Sequence, residues 1–288
     1  MKPPSLSKFL KSPSVEQPFA VVIGYPIGHS LSPCIHNAAL KHQGIDVTYY
    51  AVEVSPDARE QLPALLHHPN FRGANVTIPW KQDVLNLLDD YSQTVLHTNA
   101  CNTIIPHQHG QLRGENTDIA GFIAPLNAYT EFLKGRRAVI FGSGGASSAV
   151  VYGLKLLGMT DIVVVSRSPE TQGKLEKGVR LAGYDDWMIE GTPTVLFVNT
   201  TPLGMYPDTG QSPVDDRYIS MLSGSICYDI VYRPVRTRFL VQAELAGAQC
   251  IYGTEMFLGQ ASKAFELFFQ TEFPMTVASR ALYTSLES

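Results

Sequence analysis

The feature that most constrains the fold is a short apolar run followed at once by a cluster of glycines. Residues 137–141 have the length and apolar character of a buried strand, and residues 142–146 read Gly-Ser-Gly-Gly-Ala. An amphipathic helical pattern follows and ends at Gly158. Such a turn exposes backbone N–H groups at a helix start, where the helix dipole favours a phosphate. A second apolar run at 162–165 completes a β-α-β unit, which favours dinucleotide binding over an ordinary glycine-rich loop.

This unit begins near the middle of a chain of 288 residues, so about half of the protein precedes it. A block of that size is large enough to be a domain of its own, and we expect it to hold the substrate. In it, apolar runs alternate with helical patterns, which predicts an α/β fold with a mainly parallel sheet. The expected strands are 19–23, 48–54 and 73–77, with helices at 33–43, 56–67, 80–88 and 118–126 and a hairpin around 107–110.

The second half repeats the alternation. Its expected strands are 137–141, 162–165, 194–198, 225–230 and 248–252, followed by an amphipathic helix at 256–269. Residues before Pro18 are expected to form a loose tail.

Composition narrows the class of protein. With 44% apolar and 17% charged residues, the chain can bury full cores and is not of disordered composition. The net charge of −4 provides no basic field for nucleic acid or an anionic membrane, and no apolar run has the length of a membrane span. The scattered cysteines Cys34, Cys101, Cys227 and Cys250 predict reduced, buried thiols rather than a metal or disulfide framework. The start lacks the apolar core of a signal peptide, so we expect a cytoplasmic protein. We expect no metal site.

Hydroxyl side chains after the first strand form the first candidate site. Ser30 and Ser32 lie two residues apart, just before an expected helix, and together with the helix N-terminus they suit a small carboxylate. The alternative is helix capping, with Ser32 as the cap and Pro33 at the first helical position, and both can be true.

Further polar clusters lie at strand ends and helix starts. Asn75 and Thr77 share one face of the third strand and Lys81 follows its end, which favours a polyol site over a plain surface lysine. Residues 99–102 and 116–118 add amides and the Asp118 carboxylate, which would hold Lys81 in place and tune its proton affinity; helix capping is the alternative. Gln260, on an otherwise apolar helix face, needs a partner, either a ligand hydroxyl or a backbone carbonyl.

The strand after the glycine turn ends in Ser166-Arg167-Ser168. No acidic residue is present there to bind ribose hydroxyls, and an arginine suits a 2′-phosphate, so NADP is favoured over NAD. A solvated loop charge is the alternative for Arg167. Residues 199–205 follow another strand end and are placed to close over a nicotinamide.

In this order, these stretches resemble the shikimate dehydrogenase family from about Ala20 to Phe269. The motifs that carry the resemblance are Ser30 to Pro33, Asn75 to Lys81, Asn116 to Asp118, Gly142 to Ala146, Asn199 to Met205 and Gly253 to Gln260. The resemblance implies an N-terminal α/β substrate domain (1–121 and 255–288), a Rossmann-type NADP-binding domain (122–254) and a cleft between them. It also implies reversible NADPH-dependent reduction of 3-dehydroshikimate to shikimate, in aromatic amino-acid biosynthesis.

The resemblance assigns roles by matching position. Lys81 and Asp118 would be the catalytic pair and would also contact substrate. The other substrate contacts would be Ser30, Ser32 and Tyr232 for the carboxylate and Asn75, Thr77, Asn102 and Gln260 for ring hydroxyls. The cofactor contacts would be Gly142, Ser143, Gly144, Gly145, Ala146, Ser166, Arg167, Ser168, Thr200, Met205, Ile230 and Gly253.

This chain departs from the family pattern after the adenosine loop, where Pro169, Glu170 and Thr171 follow and only Lys174 could replace a second basic residue. Two other readings therefore stay open: a quinate or quinate/shikimate dehydrogenase that uses NAD, and a non-catalytic paralogue that binds nucleotide or metabolite. Homodimerisation is expected from relatives only.

Overall fold

The computed structural model describes residues 2–169, 178–188 and 193–287 of the protein. Within them the strands are β1 Phe19–Gly24, β2 Thr48–Glu53, β3 Phe71–Val76, β4 Asp90–Tyr91, β5 Thr103–Pro106, β6 Leu112–Glu115, β7 Arg137–Phe141, β8 Asp161–Val165, β9 Val179–Ala182, β10 Thr194–Asn199, β11 Ile226–Asp229 and β12 Gln249–Ile251. The α-helices are α1 Leu6–Leu10, α2 Ser32–Gln43, α3 Leu62–Leu66, α4 Gln93–Thr98, α5 Asp118–Ile123, α6 Thr130–Leu133, α7 Gly145–Leu156, α8 Arg238–Leu245, α9 Gly253–Phe269 and α10 Met275–Glu287.

The chain divides into two compact units. Unit 1 consists of Met1–Thr117 and Gln260–Ser288, and unit 2 consists of Asp118–Gly259. Each unit has its own six-stranded sheet. The expected α/β class with mainly parallel sheets is confirmed. Among the described residues, no helix combines the length and the apolar character that crossing a bilayer requires.

The sheet of unit 1 has the strand order β2-β1-β3-β5-β6-β4. β1 pairs in parallel with both β2 and β3, while β5 is antiparallel to β3 and to β6. Every residue of β1 is buried, as a central strand covered on both faces requires. The expected hairpin is thus confirmed as β5 and β6.

The N-terminal residues correct one expectation, because they do not form a loose tail. Leu6 and Phe9 of α1 are 0% and 1% exposed and belong to the core of unit 1. Ser5 forms a parallel bridge with Glu53 at the end of β2, and the Glu53 N–H donates to the Pro4 carbonyl at 2.9 Å. The segment therefore covers the outer edge of the sheet, where β2 would otherwise leave backbone groups unpaired.

The sheet of unit 2 is parallel throughout, in the order β12-β11-β10-β7-β8-β9. Counted from β7, this is the strand order of the dinucleotide-binding fold, so the Rossmann-type expectation is confirmed. Alternate residues of β7 face two separate cores. Ala138 and Ile140 pack on one face, and Val139 and Phe141 pack on the other.

Several elements differ from the sequence-based expectation. The helices expected at 56–67 and 80–88 are largely 3-10 turns, Pro56–Gln61 and Asp83–Leu87. Proline at 63 and aspartate and asparagine at 83 and 86 disfavour a longer α-helix there. The short elements β4, β9, α1 and α4 were not expected, nor was α10, which packs on α2.

Candidate functional site

In unit 1, the carboxyl ends of three parallel strands meet at one edge of the sheet. The Thr77 N–H donates to the Ile23 carbonyl at 2.9 Å, and the Tyr25 N–H donates to the Ile78 carbonyl at 3.0 Å. These bonds hold the loop after β1 beside the loop after β3. Ligands of open α/β sheets bind at such an edge, and both loops contain predicted site residues.

An amide and hydroxyl network lies beside these loops. Asn75 and Asn102 are 7% and 3% exposed. Asn75 Nδ2 donates to Thr103 Oγ1 at 3.1 Å, and the Thr103 hydroxyl donates to Asn102 Oδ1 at 2.9 Å. Asn102 Oδ1 also accepts from the Thr117 backbone N–H at 2.7 Å. The structure therefore brings Asn75 and Asn102 together through Thr103, which sequence reasoning did not single out, while Thr117, from the candidate stretch 116–118, bonds to Asn102.

The serine pair lies at the start of α2. The helix begins at Ser32, and its N-cap position is Leu31, so Ser32 is not the cap. The Ser32 N–H donates to Ser30 Oγ at 3.3 Å, which places the Ser30 hydroxyl at the amino end of a helix of 12 residues. This arrangement fits a carboxylate, because hydroxyls and the helix dipole act in the same direction.

Lys81 is half-buried, and its carbonyl accepts from the Cys101 N–H at 2.8 Å. That bond ties the lysine loop to the segment that contains Asn102. Burial raises the pKa of the Cys101 thiol to about 12, so the thiol stays neutral beside the lysine. Thr77 is half-buried just beyond the end of β3.

The remaining predicted substrate contacts lie on three further elements. Asp118 is the first residue of α5 in unit 2 and directly follows Thr117. Tyr232, also in unit 2, stacks on Phe257 with ring centroids 4.7 Å apart. Gln260 is half-buried on α9 and begins the C-terminal part of unit 1. Their roles stay predictions.

In unit 2, the glycine turn has the geometry that a phosphate cradle needs. Gly142 has a φ of 107°, and a Cβ there would lie 2.7 Å from Thr200 Oγ1. Gly144 is the N-cap of α7, a helix of 12 residues. A Cβ on Gly144 or Gly145 would meet no heavy atom of the described residues within 4 Å, so a ligand can approach the backbone at the helix start. Ala146 continues the first turn of α7.

The adenosine loop follows β8. Ser166 is 5% exposed, and its hydroxyl lies 3.0 Å from Ser143 Oγ and accepts from the Ser168 N–H at 3.2 Å. Arg167 is exposed, and no ion pair links it to a carboxylate of the described chain. An arginine in that state suits a terminal phosphate. Glu170, Thr171 and Lys174 lie outside the described residues.

A buried carboxylate braces the loops after β10 and β11, and sequence reasoning missed it. Asp229 is 0% exposed and accepts from Asn199 Nδ2 at 3.0 Å, from the Val231 N–H at 2.9 Å and from Thr237 Oγ1 at 2.6 Å. Burial raises the pKa of Asp229 to about 6, and these hydrogen bonds oppose the rise. A buried aspartate at the end of a strand, inside the motif Tyr-Asp-Ile, was the signal available in the sequence.

The predicted nicotinamide contacts Thr200, Met205 and Ile230 lie on these braced loops, and Gly253 begins α9. Thr200 donates from both its N–H and its hydroxyl to the Phe141 carbonyl, each at 2.8 Å. The Ile230 N–H donates to the Asn199 carbonyl at 3.1 Å, and Met205 is 46% exposed. A Cβ on Gly253 would lie 2.7 Å from the Ile230 carbonyl oxygen, so only glycine fits.

No group of three or more acidic, histidine or cysteine side chains with metal-binding geometry occurs among the residues that the structure describes.

Comparisons with known proteins agree with this geometry. The family model described as the shikimate dehydrogenase substrate binding domain matches residues 22–104. The shikimate dehydrogenase (NADP(+)) of Synechocystis is 39% identical over 92% of this chain and 95% of its own length. Two solved structures resemble more than nine-tenths of the chain. A chorismate mutase/shikimate 5-dehydrogenase fusion protein from Clostridium acetobutylicum has a TM-score of 0.84 at 30% identity, covering 94% of this chain and 99% of its own. Shikimate 5-dehydrogenase from Thermus thermophilus, in complex with NADP(H) and shikimate, has a TM-score of 0.79 at 30% identity, covering 93% and 100%. The chain therefore belongs to the shikimate dehydrogenase family.

Proposed function

We propose that this protein is a shikimate dehydrogenase that catalyses the reversible, NADPH-dependent reduction of 3-dehydroshikimate to shikimate. The observation that carries the proposal is the buried network around Asn75 and Asn102, at the ligand-binding edge of a member of this family. A polyol offers donors and acceptors at fixed positions, and oriented amides match both.

The substrate is assigned mainly to residues 1–121 and 255–288, proposed as the substrate domain. Ser30 and Ser32 bind its carboxylate at the start of α2, and Tyr232 assists. The ring hydroxyls are bound by Asn75, Thr77, Asn102 and Gln260.

The cofactor is assigned to residues 122–254, and the residues present fit it. The open backbone at Gly144 and Gly145 receives the pyrophosphate together with Gly142, Ser143 and Ala146. Arg167, between Ser166 and Ser168, faces the 2′-phosphate. When bound, NADPH supplies the hydride that reduces the ketone. Thr200, Met205, Ile230 and Gly253 position its nicotinamide.

Proton transfer is assigned to Lys81 and Asp118. As the ketone is reduced, its oxygen gains negative charge, and an ammonium beside it stabilises that charge. Lys81 Nζ donates the proton to this oxygen, and the Asp118 carboxylate orients the ammonium.

The test is the change of absorbance at 340 nm with shikimate or quinate as substrate and NADP or NAD as cofactor. We expect the highest kcat/KM for shikimate with NADP. A higher value for quinate with NAD would replace this assignment with a quinate dehydrogenase. Absence of turnover with every pairing would leave a non-catalytic paralogue that binds nucleotide or metabolite.

We also propose, from the family resemblance alone, a homodimer and a cytoplasmic location. Light scattering of the purified protein tests the dimer, because a mass near 31.6 kDa would show a monomer.

A further inference from the structure

A buried tyrosine next to the amide network is fixed by its neighbours on α2. Tyr49 on β2 is 1% exposed. Its backbone N–H donates to Asn37 Oδ1 and its carbonyl accepts from Asn37 Nδ2, both at 2.8 Å. Its ring stacks on that of His36, with centroids 4.3 Å apart and 4° between the planes. Packing therefore sets the direction of the phenol.

The sheet register brings this phenol next to Asn75, one of the proposed substrate contacts. On β1, Ala20 pairs with Tyr49 and Val22 pairs with Asn75, so the two side chains lie on the same face but on opposite sides of β1. Ala20, the β1 residue that pairs with Tyr49, has a small side chain that leaves room for the tyrosine ring. Tyr49 Oη reaches Asn75 and donates to Oδ1 at 2.6 Å. Burial raises the pKa of Tyr49 well above its usual value, so the phenol keeps its proton.

That bond supports the observed direction of the Asn75 amide, together with the Asn102 backbone carbonyl, which accepts from Asn75 Nδ2 at 3.4 Å. With Oδ1 facing the phenol, Nδ2 faces Thr103 Oγ1, and the Thr103 hydroxyl has its proton left for Asn102 Oδ1. A reversed Asn75 amide would turn its oxygen toward the Asn102 carbonyl, which can only accept, and the Tyr49 phenol would lose its acceptor. The Asn102 amide is held independently of Tyr49, because its Oδ1 accepts from the Thr117 backbone N–H at 2.7 Å, and a backbone N–H can only donate.

We infer that Tyr49 is a positioning residue for recognition of the substrate's ring hydroxyls. Its phenol favours the observed orientation of the Asn75 amide, so that the substrate hydroxyl bound at Asn75 meets a group of fixed direction. The His36 ring, stacked on the Tyr49 ring, fixes the direction of the phenol hydroxyl. The inference rests on the proposed function, since it takes Asn75 as a substrate contact.

The test compares Tyr49→Phe with Tyr50→Phe, which removes the same hydroxyl from the next residue of β2. Tyr50 lies on the opposite face, against Phe9 with ring centroids 5.2 Å apart. We expect Tyr49→Phe to raise KM for shikimate about tenfold, the value of one lost hydrogen bond in the site, and to change KM for NADP less than twofold. Tyr50→Phe should leave both constants within twofold.

Substrate analogues separate positioning from general damage. Two monodeoxy analogues of shikimate each lack one of the ring hydroxyls that are not oxidised. For at least one of them, Tyr49→Phe should weaken kcat/KM by less than twofold, because the hydroxyl that depends on the oriented amide is absent. Equal losses for shikimate and both analogues would overturn the inference and indicate a structural role only.

A second pair of variants tests the same chain of bonds if Tyr49→Phe does not fold. Thr103→Ser keeps the hydroxyl and should keep KM for shikimate, whereas Thr103→Val removes it and should raise KM about tenfold. Equal KM values for the two would overturn the inference. If the wild-type protein does not oxidise shikimate, the proposed function itself fails. If the wild-type protein is active and Tyr49→Phe matches Tyr50→Phe, only this inference fails.

Discussion

The N-terminal segment is expected to stabilise unit 1 through Phe9. The Phe9 ring is 1% exposed and meets Phe19 of β1 edge-on, with centroids 5.3 Å apart, and Tyr50 of β2 at 5.2 Å. Replacing a buried phenylalanine with alanine costs about 3–5 kcal/mol, which includes the cavity left behind. Because the helix has only five residues with two buried side chains, we place the expected loss at the lower end of this range. We therefore expect Phe9→Ala to lower the free energy of unfolding of unit 1 by about 3 kcal/mol.

The two tryptophans allow the loss to be assigned to one unit. Trp80 belongs to unit 1 and Trp187 to unit 2, and both are buried. In a Trp187→Phe background, fluorescence during urea unfolding reports on unit 1 alone. Phe9→Ala should shift that transition to lower urea, and deletion of residues 2–17 should shift it at least as far.

The control is Lys8→Ala on the same helix, because Lys8 is exposed. Its effect should stay within about 0.5 kcal/mol, the usual range for a surface substitution. A loss below about 1 kcal/mol for Phe9→Ala would refute the reasoning, since it would mean that the segment is not docked in solution.

Four further outcomes are expected. Lys81→Ala should lower kcat at least a hundredfold with a much smaller change in the Kd for shikimate, and near-normal turnover would remove Lys81 from the chemistry. Arg167→Ala should raise KM for NADP about tenfold and leave KM for NAD unchanged, whereas equal effects on both would argue against a 2′-phosphate contact. Gly142→Ala should destabilise unit 2 by about 1–3 kcal/mol in urea unfolding, because its φ of 107° strains an alanine, while Gly144→Ala should weaken NADP binding at unchanged stability. Burial lowers the pKa of His36 from 6.5 to about 3, so between these values the unfolded chain binds one more proton than the folded chain, and stability decreases as the pH is lowered. Between pH 6 and pH 4 the wild-type protein should therefore lose about 1.4 kcal/mol per pH unit more than His36→Phe. The exposed His67→Phe is the control, and parallel stability curves for the wild-type protein and His36→Phe would contradict this.

Local patterns predicted the parts of the fold that depend on local physics. The β7–turn–α7 unit was readable because an apolar run, small turn residues and a helical period follow one another without interruption. The hairpin of β5 and β6 was readable for the same reason. Helix α1 was not, because five residues with two buried side chains have no period to detect. Its order comes from contacts with β1 and β2, more distant in sequence.

In the candidate site, too, residues marked by local patterns were predictable, and residues that depend on distant strands were not. Asn75 was predicted because it stands near a strand end, where ligands of open sheets bind. Asn102 was predicted from a cluster of amides near a helix start and from the family resemblance. Tyr49 was not, because its role depends on register. Its hydroxyl reaches Asn75 because β1 lies between β2 and β3, and because the β1 residue that pairs with Tyr49 is the small Ala20. Such an alignment involves three strands that are distant in sequence, and no single stretch of residues contains it.

Buried residues that orient the substrate contacts limit how substrate preference can change in such a chain. The groups assigned to substrate are oriented by residues such as Tyr49 and Thr103 that are themselves buried, at 1% and 0% exposure. A buried hydroxyl whose partner is removed leaves an unpaired polar group, which costs about 1–3 kcal/mol. Substitution of Asn75 alone would therefore leave the Tyr49 phenol without its acceptor and lower stability together with binding. Paired replacement of Asn75 and Tyr49 should recover stability but not shikimate recognition, and the urea midpoint measured beside KM separates these two effects.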